Sequence, residues 1–185
     1  MSKSMVTYRG RVYPWQCDHM GHMNVMWYVG KFDEASWQLL SLLGLTRARF
    51  ERDKAGMAAV EQRIAYKREL RAGDIITIRS AILEVKDKAV CLRHEMTNDE
   101  TGEVAATTVA VGVYLDAVLR KARSLPPDVR QRATALIHAW GGVEEEGSGC
   151  RAADSDQASA VNNEAVRSPV SVPAQPGMML LGSCL

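Results

Sequence analysis

The hydrophobic pattern of the chain predicts a strand followed by one long helix. Residues 5–13 alternate loosely between apolar and polar side chains and end at Pro14, which is typical of a strand. From Asn24 to Leu43, apolar residues recur at every third or fourth position, as they do in a helix with a buried face. Asn24 suits the N-cap of this helix, and Gly44 suits its C-terminal stop.

Four more strands are predicted after a short helical turn near residues 46–54. They span residues 57–67, 74–86, 89–97 and 103–115. Because the turns between the last three strands are short, these strands are expected to be antiparallel neighbours. A helix from the Pro-Pro-Asp segment at 126–128 to Trp140 follows. One apolar helix packed on one antiparallel sheet is a two-layer α+β domain.

Three residues inside these elements carry structural expectations. Gly30 costs about 1 kcal/mol relative to alanine in a helix, so we expect it to permit close backbone packing. Cys91 and His94 fall on opposite faces of the strand 89–97. We interpret both as core or interface residues.

Composition divides the chain after residue 140. The net charge of +1 is unevenly distributed along the chain. Residues 141–185 have two arginines and six carboxylates, a net charge of −4, so residues 1–140 carry a net charge of +5. All eleven aromatic residues precede residue 141, so the last segment cannot bury enough surface to offset the entropy of ordering. We predict one domain over residues 1–140 and a mostly disordered tail over residues 141–185.

The composition also excludes several functional classes. The chain contains no run of about 18 uncharged apolar residues, the length that a membrane-spanning helix needs. The N-terminal residues lack the apolar stretch of a secretory signal, which favours the cytoplasm. The four cysteines lie far apart without a Cys-x-x-Cys pair, which argues against a disulfide scaffold and a zinc ribbon. No basic stripe of the nucleic-acid-binding kind is present, and the modest positive excess suits an anionic small molecule or an acidic protein.

The candidate chemistry lies between the first strand and the long helix. Asp18, His19, His22 and Asn24 place a carboxylate, two imidazoles and a carboxamide directly before a helix N-terminus. Unpaired N–H groups there can hold developing negative charge, and a carboxylate can activate water or attack directly. The same segment with Cys17 contains metal-ligand types, but no pair has the spacing of a structural zinc site. The spacing alone is compatible with acyl transfer without selecting it.

A family resemblance narrows these possibilities. The string VYPWQCDHMGHMNVMWYVGKFDEAS resembles the signature of hotdog-fold acyl-CoA thioesterases of the 4-hydroxybenzoyl-CoA thioesterase type. The string IAYKRELRAGDIITIRS is similar to the second recurring segment of that family. The resemblance covers about residues 5–125. It implies a hotdog fold of order β-α-β-β-β-β, in which a five-stranded antiparallel sheet wraps a central helix, and an activity that hydrolyses acyl-CoA to a carboxylic acid and free CoA.

The resemblance also implies roles for matching positions. Asp18 matches the catalytic carboxylate, as nucleophile or general base, and Val25 lies where a backbone N–H polarises the thioester carbonyl. His22 and Asn24 match residues that shape the site. Gly21 matches a loop glycine whose missing side chain lets the thioester approach. Structural roles stay open beside these, because Asp18 could satisfy loop N–H groups, His22 could close the loop and Asn24 could only cap the helix.

Substrate contacts are expected beyond this loop. Tyr28 matches the aromatic position of the family's helix. Arg63, Lys67, Arg68 and Arg71 border the second predicted strand and are candidates to meet the coenzyme A nucleotide. Ordinary solvated charge is the alternative interpretation of these basic residues.

Several further implications and alternatives complete the sequence interpretation. The resemblance implies no metal and no cofactor, since coenzyme A is part of the substrate. It places active sites between paired subunits, so we expect a homodimer or homotetramer. Some hotdog thioesterases use a glutamate of the central helix, for which Glu34 is the candidate here. Hydrolysis of acyl groups from acyl carrier protein, and a non-catalytic domain that binds acyl-CoA, remain as alternative functions.

Overall fold

The structure is a computed structural model that describes residues 4–140, with side chains described as far as residue 137. The predicted tail over residues 141–185 lies outside the described residues. The elements are β1 (Met5–Arg11), α1 (Val25–Leu42), α2 (Arg47–Asp53), β2 (Ala55–Tyr66), β3 (Ile75–Val85), β4 (Ala89–Asn98), β5 (Val104–Asp116) and α3 (Pro127–Trp140). Among these described elements, no helix is long and apolar enough to cross a membrane.

The five strands form one sheet of order β1-β3-β4-β5-β2 in which every neighbouring pair is antiparallel. Strands β3, β4 and β5 follow one another through short turns, as predicted. The edge strands β1 and β2 join them from distant parts of the sequence. The central helix α1 packs against β1, β3 and β4. The predicted α+β architecture with a helix on an antiparallel sheet is confirmed.

Both predicted ends of α1 are confirmed. The side chain of Asn24 caps the helix, because its Oδ1 accepts a hydrogen bond of 3.0 Å from the N–H of Met26. Beyond Leu43, Gly44 adopts φ +84°, the left-handed conformation that terminates many helices. Between these ends, the buried face of the helix includes Phe32 and Leu39, which have no exposed surface.

The prediction for Gly30 is wrong within this chain. A Cβ atom built on Gly30 meets no atom within 4 Å, and the residue is exposed. The exposed side of α1 also carries Met26, Val29 and Trp37, which are 61%, 40% and 48% exposed. The helical period correctly places Phe32 on the buried face, but it does not say what covers the opposite face.

A chain of buried hydrogen bonds ties α1 to the sheet through His94. This residue has no exposed surface, and its Nδ1 lies 2.5 Å from the Ser80 hydroxyl of β3. Its Nε2 lies 3.0 Å from the Ser36 hydroxyl of α1. The Ser80 hydroxyl in turn lies 2.5 Å from the Thr7 hydroxyl of β1. His94 is therefore a core residue, as predicted, and Cys91 is buried as well.

Candidate active site

The loop between β1 and α1 closes on itself before the helix begins. Cys17 and Met23 form an antiparallel bridge, and the N–H of Asp18 donates a hydrogen bond of 3.0 Å to the carbonyl of His22. Gly21 turns the chain with φ +83°. A Cβ atom there would meet nothing within 4 Å, so this turn needs glycine for its backbone conformation. This loop conformation fixes the backbone positions from which the side chains of Asp18 and His22 project.

The carboxylate of Asp18 is only partly used by the loop. Its Oδ1 accepts a hydrogen bond of 2.9 Å from the N–H of Met20, so Asp18 does brace the turn. Its Oδ2 has no hydrogen-bond partner among residues 4–140, and the side chain is half-buried. The structural role and the chemical role can therefore coexist, one on each oxygen.

Among residues 4–140, one backbone donor in the first turn of α1 has no acceptor. The N–H of Asn24 donates a hydrogen bond of 2.9 Å to the carbonyl of Gln16, and the N–H of Met26 donates to the side chain of Asn24. For the N–H of Val25, the described part of the chain supplies no acceptor. Val25 is 56% exposed, so a ligand can reach this end of the helix. A free N–H at a helix N-terminus can stabilise an oxyanion.

A second segment, residues 68–70 between β2 and β3, holds this loop in place. The carbonyl of Leu70 accepts a hydrogen bond of 2.6 Å from the N–H of Met23. Glu69 places its Oε1 3.6 Å from Nε2 of His22, whose side chain is 27% exposed. The sequence interpretation missed Glu69 and Leu70. Their only signal is their position within the second recurring segment, directly after the basic residues.

Tyr28 is engaged in the same support. The residue is 4% exposed, and its hydroxyl donates a hydrogen bond of 3.3 Å to the carbonyl of Arg68. Its ring meets the Tyr66 ring edge to face, with 5.2 Å between the centroids. Burial raises the pKa of Tyr28 to about 12. In this chain Tyr28 joins α1 to segment 68–70, and its predicted contact with substrate stays a prediction.

A cleft of about 420 Å³ beside segment 68–70 gathers part of the predicted basic set. Lys67, Arg68 and Arg71 line it together with Glu69 and Glu103. Nε of Arg68 lies 3.1 Å from the Glu103 carboxylate, so the cleft is mixed in charge.

The other predicted candidates lie elsewhere. Arg63 lies further along β2, with its Nε 3.0 Å from the Glu61 carboxylate. Glu34 is exposed on α1. Within residues 4–140, no three His, Cys, Asp or Glu side chains gather closely enough to hold a metal ion, so Cys17 and its neighbours form no ligand cluster there.

Comparison with known proteins identifies the family and the fold of this chain. The model of the thioesterase-like superfamily matches residues 12–133. The L-carnitine dehydrogenase/betainyl-CoA thioesterase of Agrobacterium fabrum is 30% identical over 132 residues, which cover 70% of this chain but only 25% of that protein. A Staphylococcus aureus protein solved in complex with CoA superposes with a TM-score of 0.73 at 18% identity, over 80% of this chain and 96% of the other. A gentisyl-coenzyme A thioesterase superposes with a TM-score of 0.61 at 28% identity, over 69% and 98%. The chain belongs to the thioesterase-like superfamily and has its hotdog fold.

Proposed function

We propose that this chain hydrolyses an acyl-CoA thioester to a carboxylic acid and free CoA. One observation carries the proposal. A carboxylate oxygen of Asp18 and the N–H of Val25, both without partners among the described residues, belong to the same short stretch before α1. One group can supply or activate the attacking oxygen, and the other can stabilise the oxyanion that the attack creates.

The reaction can follow either of two balanced courses. As general base, Asp18 takes a proton from water while the water oxygen bonds to the thioester carbon, the C–S bond breaks and the sulfur receives a proton. As nucleophile, the carboxylate of Asp18 bonds to the same carbon and expels the thiolate, and water then hydrolyses the resulting anhydride. In both courses the carbonyl oxygen becomes negatively charged beside the N–H of Val25. His22 and Asn24 shape the site, and Gly21 keeps the turn.

Coenzyme A rather than acyl carrier protein is the proposed acyl carrier. The relatives compared above include a betainyl-CoA thioesterase and a gentisyl-CoA thioesterase. The cleft with Lys67, Arg68 and Arg71 offers cations for the phosphates of the nucleotide. Arg63 is a further candidate for this contact.

We propose in addition that the active form is a homodimer or homotetramer. The exposed side of α1 carries apolar side chains, among them Met26 and Trp37, and the sheet ends in the two edge strands β1 and β2. Such surfaces favour association. Light scattering at micromolar concentration should show an assembly, and a stable, active monomer would disprove this proposal.

The test of the function is release of free thiol, detected with a thiol reagent. The panel contains betainyl-CoA, gentisyl-CoA, medium-chain acyl-CoAs and the corresponding acyl carrier proteins. We expect thiol release from at least one acyl-CoA, and Asp18→Asn should abolish most of it. Glu51→Gln, on α2, is the matched control because it removes a carboxylate from an element outside the site. Faster thiol release from acyl carrier protein than from acyl-CoA would contradict the proposed carrier. Binding of acyl-CoA without thiol release would contradict the proposed hydrolysis and indicate a non-catalytic binding domain.

A further inference from the structure

Resting on the proposed hydrolysis, we infer that Glu69 is a positioning residue that couples His22 to the basic cleft. The carboxylate of Glu69 lies between an imidazole and a guanidinium group. Its Oε1 is 3.6 Å from Nε2 of His22, and its Oε2 is 3.9 Å from Nη2 of Arg71. One carboxylate thus faces the loop that carries Asp18 on one side and the cleft on the other.

The backbone around Glu69 is well suited to this role. Leu70 has no exposed surface, and its carbonyl receives the N–H of Met23 at 2.6 Å. The carbonyl of Arg68 receives the hydroxyl of Tyr28. Both neighbours of Glu69 are therefore anchored to the loop or to α1, while the Glu69 side chain itself is 60% exposed. This anchoring limits the positions that the carboxylate can reach.

The division of the carboxylate between two partners has a consequence for substrate binding. Phosphate groups bind arginine through charge-assisted hydrogen bonds. A nucleotide phosphate that enters the cleft therefore competes with Glu69 for Arg71. The carboxylate of Glu69 then interacts with His22 alone, and the imidazole of His22 is held more firmly in the loop. In this way, binding at the nucleotide end of the substrate acts on the end where the thioester reacts.

The test compares Glu69→Gln with the matched variant Glu103→Gln. Both carboxylates line the same cleft, are similarly exposed, at 60% and 54%, and lie near an arginine. Both substitutions add one positive charge to the net charge of the cleft. Only Glu69 lies near His22. A difference between the two variants therefore reports the contact with His22 and not the charge of the cleft.

The kinetic measurement uses one acyl group carried either by CoA or by pantetheine, which lacks the nucleotide. We expect Glu69→Gln to lower kcat roughly 10- to 100-fold with acyl-CoA, because a small misplacement near the reacting atoms has effects of this size. The loss should be smaller with acyl-pantetheine, which has no nucleotide phosphate to draw Arg71 away from Glu69. Glu103→Gln should change only KM, and only for acyl-CoA. Glu69→Asp keeps the charge and should recover part of kcat. The inference is overturned if Glu69→Gln and Glu103→Gln have the same kcat, or if Glu69→Gln lowers kcat equally with the two substrates.

A second measurement does not depend on hydrolysis. The imidazole NMR signals of His22 should shift in Glu69→Gln and stay unchanged in Glu103→Gln, with the signals of His19 as an internal reference. Unchanged His22 signals in Glu69→Gln would overturn the inference whatever the activity. If the parent protein hydrolyses no thioester but the His22 signals still shift in Glu69→Gln, the proposed function is overturned and the contact between Glu69 and His22 stands. Should Glu69→Gln fail to fold, the same signals are read in Glu69→Ala, which removes the carboxylate altogether; a shift there supports the contact and its absence refutes it.

Discussion

Two histidines of this chain have opposite surroundings. His94 lies in the core with no exposed surface, and its two ring nitrogens face the hydroxyls of Ser80 and Ser36. His22 lies in the loop before α1 with 27% of its side chain exposed, and it faces the carboxylate of Glu69. Hydroxyls can accept from or donate to a neutral imidazole, whereas a carboxylate only accepts. The core histidine joins structural elements, and the loop histidine stays within reach of a ligand.

The difference shows that residue type alone does not identify a chemical site. Burial lowers the pKa of His94 from 6.5 to about 4, so this ring is uncharged at neutral pH. A proton added to His94 would be placed in the apolar core, where a charge is costly. We therefore expect substitutions of His94 to act on stability and substitutions in the loop to act on turnover.

The largest effect is expected from His94→Ala. The substitution leaves a cavity and removes the partner of the Ser36 and Ser80 hydroxyls, so the free energy of unfolding should fall by about 4 kcal/mol. Denaturant unfolding measures this change. His22→Ala is the control and should lower the free energy of unfolding by less than about 0.5 kcal/mol, as for a surface substitution. Equal losses in the two variants would remove the distinction between the histidines.

A slightly smaller effect is expected from pH. Because the pKa of His94 is lowered in the folded state, the unfolded chain binds more protons between about pH 6.5 and pH 4. The contribution to stability is complete above pH 6.5 and is lost as the pH falls towards 4. The loss amounts to about 3 kcal/mol for a group of this kind. Unfolding curves at pH 7, 5.5 and 4 should show it, and the dependence should be weaker in His94→Ala. An unchanged pH slope in that variant would assign the acid sensitivity to other groups.

Asp18→Asn tests the loop side of the comparison. Asparagine keeps the oxygen that accepts from Met20 but removes the negative charge. Hydrolysis should fall at least about a hundredfold, which corresponds to about 2.7 kcal/mol in the barrier. Binding of acyl-CoA should persist, because the helix N-terminus is unchanged. Turnover and melting temperature are measured together. A variant with lowered melting temperature and near-parental turnover in its folded fraction would show that Asp18 only braces the loop, and Glu34 would be tested next.

The smallest effect is expected from His22→Gln. Glutamine can still donate a hydrogen bond towards Glu69, but it lacks the flat, rigid ring that shapes the site. We expect kcat to fall about tenfold, or about 1.4 kcal/mol, with the melting temperature unchanged. Steady-state kinetics with one acyl-CoA and a thermal melt decide this. A loss as large as that of Asp18→Asn would give His22 a direct part in the chemistry.

The features that could be predicted from the sequence are those that depend on residues close together along the chain. The cap at Asn24, the stop at Gly44 and the short turns between β3, β4 and β5 are all local, and the structure confirms them. The loop residue Asp18 came from a motif resemblance, and its role remains a prediction. The contact between Glu69 and His22 could not be predicted, because it joins residues that only the folded sheet brings together.

The same limit explains two other results. The pKa of His94 depends on its complete burial between the sheet and α1, which no local pattern contains. The prediction for Gly30 failed because a helical period shows which side faces the core and not what covers the other side.

The order of strands in the sheet has a consequence for how the chain folds. The contacts of β4 with β3 and β5 span short turns, whereas β1 reaches β3 across about half of the domain, with Arg11 opposite Ile75. Long chain closures are slow because their entropy is lost before their contacts form. We expect the three-stranded meander to form early and the edge strands to join late. The loop with Asp18 follows β1, and its support at residues 68–70 follows β2, so the site is completed only after both edges have joined. During refolding, enzymatic activity should therefore return later than the bulk of the sheet.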